Sequence, residues 1–340
     1  MKVRGYVLGG AVLGGLITLG MLRKQKRYFE LGGRVVLVTG GTRGLGLVMA
    51  RQLAEAGARV AICGRDTSEL DEASRQLAEL SSDFLCIQCD VTKKNEVQEM
   101  IYQIRQQWGE VEVLINNAGI IQVGPMENMQ QEDYQKALDV FFWGAFNLVQ
   151  EVLPGMKTAR VGRIVNITSI NAKVSFPHLL PYTVGKYALA GFSEGMTAEL
   201  SRSGIRVTSV YPGLMRTGSP RNIDVKAQHE KEYAWFKISD SLPGLSMSAE
   251  KAAAKIIEAM QYGSKTLALG LPTKIAMAIG GIAPGLNISL FELANRLLPN
   301  PVSSGSNLRK GYESESDITN SVLTKKTEEA EEKNNQLQKS

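Results

Sequence analysis

"RVVLVTGGTRGLG", residues 34–46, reads as an apolar strand that runs into a glycine-rich turn and out into a helix. The unbroken run of valines and leucine at 35–38 suits a strand buried on both faces. Gly40, Gly44 and Gly46 sit where the backbone must turn sharply. A helix opening there offers free N–H groups and the positive end of its dipole to an anion. A glycine-rich turn alone is a weak signal. Between a strand and a helix, it is the context in which a backbone cradles a pyrophosphate.

The rest of the chain continues the alternation. "ARVAICG", "DFLCIQCD", "VEVLINNAG", "GRIVNITS" and "IRVTSVYPG" are further strand candidates rich in Val and Ile, and "TLALG" near residue 266 adds another. Helix-length stretches at 45–57, 67–80, 93–108, 131–155 and 182–203 separate them. Continuous apolar strands alternating with helices predict a parallel sheet covered on both sides. Right-handed crossovers then make it an α/β, doubly wound, Rossmann-like sheet of about seven strands in a single catalytic domain over 32–270.

The chain has 340 residues, 44% hydrophobic and 21% charged, enough for a full core. Its net charge of +5 is local: residues 1–34 hold seven basic groups against one acid, leaving 32 basic and 33 acidic groups beyond. That distribution excludes a nucleic-acid face. Cys63, Cys86 and Cys89 are too few for a disulfide framework, and "CIQC" lies in an apolar strand with no second pair or histidine to complete a metal site. No metal is expected.

The termini differ from the middle. Tyr6 to Leu22 is a 17-residue run without charge, followed by "RKQKR". This length is the lower limit for a membrane-spanning helix. The missing small-residue cleavage site argues against a signal peptide, so residues 1–31 read as a single-pass anchor with a basic flank. More positive charge follows the span than precedes it, which puts the catalytic domain in the cytoplasm. Residues 271–300 are apolar and broken by Pro284, and read as an extension beside a substrate cleft or a membrane. Residues 301–340 hold one aromatic, Tyr312, and read as a disordered polar tail.

At the end of the second strand, "VAICGRD", an NAD-binding sheet usually places an acid for the ribose hydroxyls. Gly64 stands there, with Arg65 beside it and Arg43 in the glycine loop. Two guanidiniums suit a 2′-phosphate, which an acid would repel, so the expected cofactor is NADP(H).

Taken together these residues resemble the short-chain dehydrogenase/reductase family, over roughly 34–270. "TGGTRGLG" looks like its T-G-x-x-x-G-x-G loop, "CDVT" carries Asp90, and "NNAG" occupies 116–119. "NITS" ends in Ser169, thirteen residues before Tyr182, and "YTVGK" is the Tyr-x-x-x-Lys signature. "YPGLMRT" resembles the Pro-Gly turn that precedes Thr217. The resemblance implies cofactor contacts from Gly40, Thr42, Arg43, Gly44, Leu45, Gly46, Arg65, Asp90 and Val91. It implies others from Asn117, Ala118, Gly119, Tyr182, Lys186, Pro212, Gly213 and Thr217. The catalytic set is Ser169, Tyr182 and Lys186.

The chemistry is consistent with that implication. Hydride transfer to a carbonyl carbon requires a proton at the oxygen, and a phenol is a weak acid and a poor base at neutral pH. Four-residue spacing puts Tyr182 and Lys186 on one helical face, where the ammonium is expected to lower the phenol's pKa. Ser169 can hold the carbonyl oxygen toward Tyr182. "VSFPHLLP", 174–181, is expected along the substrate entrance, with His178 a wall residue rather than a catalyst.

Two positions depart from the family pattern. Gly185 replaces the commoner serine before the lysine, and Phe141 stands where an asparagine often holds a water that links the lysine to solvent. The first expectation is therefore a membrane-anchored, NADP(H)-dependent oxidoreductase for a lipophilic carbonyl or alcohol. Phe141 motivates the rival, a membrane-bound NADP(H)-binding scaffold or redox sensor with little turnover. Dimers and tetramers are frequent in the family, so a homo-oligomer is compatible with the chain.

Overall fold

The computed structural model describes residues 28–241, 246–303, 307–319 and 324–337. Residues 1–27, which carry the expected anchor, lie outside the described residues. No helix among the described residues is long and apolar enough to cross a membrane.

Seven strands form the central sheet: β1 (Val35–Thr39), β2 (Arg59–Gly64), β3 (Phe84–Gln88), β4 (Val113–Asn116), β5 (Gly162–Ile167), β6 (Ile205–Pro212) and β7 (Thr266–Leu269). Their order is β7-β6-β5-β4-β1-β2-β3, and every pair is parallel. All seven strand candidates fall on these elements. Neighbouring strand residues point to opposite faces, and here both faces are covered. Val36 and Val38 join one buried cluster, Val35 and Leu37 another. This double burial is why β1 reads as an unbroken apolar run.

Helices α1 (Gly44–Glu55), α2 (Thr67–Ala78) and α3 (Lys94–Trp108) follow the first three strands. The stretch 131–155, read as one helix, is built of three parts: α4 (Gln131–Leu138), a π-turn over Asp139–Trp143, and α5 (Gly144–Ala159). Single π-turns inside helices recur at functional sites, and this one carries Phe141. Helix α6 (Leu180–Glu199) holds Tyr182 and Lys186. Helices α7 (His229–Ser241) and α8 (Ala249–Gln261) follow.

Residues 271–300 form a helical hairpin, α9 (Leu271–Ile282) and α10 (Pro284–Asn295). It leans on the segment after Ser169, through Phe176 against Phe291 (ring centroids 4.4 Å apart) and Met277 against Ala172. Its outer face leaves Ile275, Ile282, Leu286, Ile288 and Leu293 exposed.

The described parts of 301–340 correct the expectation of disorder. Arg309–Lys310 pairs antiparallel with Asp224–Val225, and α11 (Lys325–Lys333) packs on α7. The tail is held by polar partners rather than apolar area. Lys310 pairs with Asp224, Glu315 and Glu328 flank Lys237, and Glu331 faces Arg221.

Candidate active site

The strand order reverses between β1 and β4, and in open parallel sheets ligands bind beyond the strand ends at that point. Here the two strand ends are tied together. Thr39 Oγ1 at the end of β1 accepts from the N–H groups of Asn117 (3.0 Å) and Ala118 (3.1 Å). The Asn117 amide donates to the carbonyls of Thr39 and Gly40, both at 3.0 Å. Asn117 thus shapes the glycine turn from behind. Thr39 was not among the sequence candidates, and its side chain is what joins the two motifs.

Gly46 shows why the turn takes glycine: a Cβ there would lie 2.1 Å from the Gly40 carbonyl oxygen. Only a bare backbone lets α1 settle onto the turn and aim its N-terminus into the crevice. At the end of β2, a Cβ on Gly64 would lie 2.5 Å from Thr42 Cγ2. A side chain at the position that often carries a ribose-binding acid would therefore press on Thr42. Arg43 turns to Glu69, with 2.8 Å between Nη1 and Oε1, and Thr42 Oγ1 donates to the same carboxylate at 2.9 Å. Arg65 is exposed next to them. Asp90 Oδ1 accepts from the N–H and hydroxyl of Thr92, which fixes the turn after β3, and Val91 packs against Gly144.

Across the crevice, two residues beyond the end of β5, the Ser169 hydroxyl caps a short turn by accepting from the Asn171 N–H at 3.1 Å. Lys186 is buried, 4% exposed, and its Nζ donates to the Ile167 carbonyl at 2.7 Å. The same ammonium lies 4.0 Å from the centre of the Phe141 ring and 5.6 Å from that of Tyr182. Phe141 meets Tyr182 edge-on, with centroids 5.5 Å apart. Phe141 therefore fills the space beside Lys186 that a polar residue would otherwise line.

The room for that ring comes from Gly185. A Cβ on Gly185 would sit 2.6 Å from Phe141 Cδ2, and one on Gly119 would sit 2.9 Å from Cε1. The two departures from the family pattern are one packing arrangement.

The expected lowering of Tyr182's pKa by Lys186 is not what the geometry produces. Burial pushes the Tyr182 phenol up to about 12, opposed by its hydrogen bond with Ser169. Burial holds the Lys186 ammonium down to about 7. With its pKa raised by burial in this way, the phenol is protonated at neutral pH.

Pro212 ends β6, and a Cβ on Gly213 would lie 2.4 Å from Thr273 Oγ1, so α9 presses on this turn. Thr217 Oγ1 accepts from the Ser219 N–H at 3.2 Å. His178 is in the left-handed backbone region and buried against Glu232, with Nδ1 2.9 Å from the carboxylate. Trp235 donates to the same carboxylate at 2.8 Å. His178 thereby fastens the loop after Ser169 to α7.

The residues present fit a nicotinamide dinucleotide: a glycine cradle that side chains would fill, a helix N-terminus beyond it, and a Ser–Tyr–Lys set opposite. A family model described as short chain dehydrogenase matches residues 34–228. The chain is 32% identical over 274 residues to dehydrogenase/reductase SDR family member 7B of Rattus norvegicus, covering 78% of this chain and 82% of that one. It is 30% identical over 274 residues to a fatty acyl-CoA reductase of Acinetobacter baylyi, covering 80% and 88%. Among solved structures, a gluconate 5-dehydrogenase from Burkholderia cenocepacia in complex with NADP and tartrate aligns with a TM-score of 0.63 and 26% identity. That alignment covers 73% of this chain and 98% of that one.

Proposed function

The chain belongs to the short-chain dehydrogenase family, and from that premise we propose that it is an NADP(H)-dependent oxidoreductase interconverting a carbonyl and an alcohol on a lipophilic substrate. The observation that carries the reading is the juxtaposition of Ser169, Tyr182 and Lys186 beside the glycine turn at the sheet's reversal point. Bound there, the nicotinamide ring supplies or accepts the hydride. The chain's own residues do the rest. Gly40, Gly44, Leu45 and Gly46 would hold the pyrophosphate, Arg43 and Arg65 would meet the 2′-phosphate, and Thr217 would steady the nicotinamide end. Ser169 holds the substrate oxygen toward the Tyr182 hydroxyl, which gives the proton. Lys186, whose Nζ donates to the Ile167 carbonyl in the structure, would hold the ribose and offer its charge to the phenolate.

The apolar hairpin α9–α10 beside the loop after Ser169 supports a lipophilic substrate, as does the likeness to a protein named as a fatty acyl-CoA reductase. Residues 6–22 are proposed to hold the chain at a bilayer. One observation favours the rival reading of a sensor with little turnover: Phe141 covers Lys186. The test is NADPH oxidation by the chain lacking residues 1–27 against apolar ketones, aldehydes and acyl thioesters, beside Tyr182→Phe. Turnover lost in the variant with NADPH binding retained is the expected result. Equal activity in Tyr182→Phe overturns the acid role, and tight NADPH binding with no substrate turned over favours the sensor.

A further inference from the structure

The glycine turn already has an occupant within the chain. After α11 the backbone crosses the crevice, and Gly44 N–H donates to the Asn334 carbonyl at 2.8 Å. The Asn335 amide donates to the carbonyls of Thr42 (2.8 Å) and Glu69 (3.1 Å). The Gln336 amide donates to the Thr217 carbonyl at 3.4 Å and lies 2.7 Å from where a Gly44 Cβ would stand. From the other wall, Asn222 donates to the Gln336 backbone carbonyl (3.0 Å) and Oε1 (2.8 Å). Asn334 and Gln336 are both buried. Behind them α11 is clamped by Lys333 to Glu250, by Thr327 to Ser241, and by Glu331 near Arg221.

We propose that residues 324–337 are an intramolecular ligand of the dinucleotide crevice, which the cofactor must displace to bind. The inference rests on the reading of that crevice as the cofactor site. The Gly44 N–H that would face a pyrophosphate is taken by Asn334, and Gln336 spans the path from the turn to Thr217. Three consecutive amides, "NNQ", offer carbonyl oxygens and amide N–H groups to a cleft lined by backbone donors and acceptors. Tethered upstream by the Arg309–Lys310 strand, the segment stays at high effective concentration. The apparent cofactor affinity is reduced by the fraction of chains with the crevice open. Several buried neutral hydrogen bonds, offset by ordering entropy, suggest a weakening of about 10- to 100-fold.

The test compares NADPH binding, by fluorescence titration, to the full chain, to the full chain with Asn335→Ala and Gln336→Ala, and to a chain ending at residue 323. In parallel, trypsin cleavage at Lys325, Lys326 and Lys333 of the full chain is followed with and without NADPH. The expected result is tighter binding in both variants by about 10-fold or more, with NADPH speeding cleavage of the unaltered chain. Equal affinities, with NADPH protecting those lysines, overturn the proposal and make the segment a lid over bound cofactor. Failure of every form to bind either NADPH or NADH sinks the cofactor reading and this inference with it. The point variants keep the test decisive where the truncation does not fold.

Discussion

Gly185 and Phe141 are each unusual, and the structure makes them one unit, which a double-mutant cycle measures. Gly185→Ser in the unaltered background puts a Cβ 2.6 Å from Phe141 Cδ2 and 3.0 Å from the Ala137 carbonyl oxygen. Both neighbours are packed, since Phe141 is 2% exposed and Ala137 fully buried. Overpacking of this kind costs about 1–3 kcal/mol. Phe141→Asn removes a buried ring and its contact with the Lys186 ammonium, for about 3–5 kcal/mol. In the double variant the serine no longer meets a ring, and only the tight approach to Ala137 remains. The combined loss should therefore fall short of the sum by about 1–2 kcal/mol. Urea unfolding of the four proteins, with a shared m-value, reads this directly. Additivity within about 0.5 kcal/mol would refute the packing account, and Gly185 would need another explanation.

Two other outcomes are expected. Lys186→Met should abolish turnover yet raise stability by about 1–3 kcal/mol at neutral pH, because burial penalises the ammonium while its bonds to Ile167 and Phe141 return only part. The folded lysine titrates near 7 against an ordinary 10.5. The folded state thus holds that proton less tightly, and the penalty is full below about pH 7 and fades as pH rises toward 10.5. Thermal melts across that range that show no narrowing gap between variant and parent would contradict it. Arg43→Ala with Arg65→Ala should weaken NADPH by about 10-fold or more and leave NADH nearly unchanged; equal losses in paired titrations would remove the 2′-phosphate assignment.

The sheet was legible because its physics is local. Seven apolar runs of strand length, each followed by helix-forming sequence, leave few topologies once crossovers are right-handed. The glycine turn was legible for the same reason, as strand, turn and helix are contiguous. What escaped the sequence depends on partners distant in the chain. The π-turn over Asp139–Trp143 leaves no periodic signature in a run that reads as one helix. Thr39 and Asn117 are 78 residues apart, and nothing in either motif announces that one ties the other down. The tail looked disordered because it lacks apolar area; its order comes from Asp224, Lys237 and Arg221, each more than 70 residues away. The direction of Tyr182's shift was misjudged because spacing on a helix gives proximity but says nothing of burial.

These distant contacts share a consequence. In the structure three of the groups expected to face the cofactor already have a partner: Gly44 N–H has Asn334, Arg43 has Glu69, and Lys186 has Ile167. Binding therefore exchanges contacts rather than filling unmet ones, and the affinity is the difference between the two sets. The exchanges are unequal. Releasing Arg43 from Glu69 trades one partly exposed ion pair for another, which is worth little either way. Lys186 gains most, because a buried ammonium held by a neutral carbonyl is poorly compensated. Releasing the tail costs most, because it gives up several buried hydrogen bonds at once. On the proposal that the cofactor displaces the tail, tail release rather than phosphate recognition is the step that sets how tightly this chain would hold its cofactor.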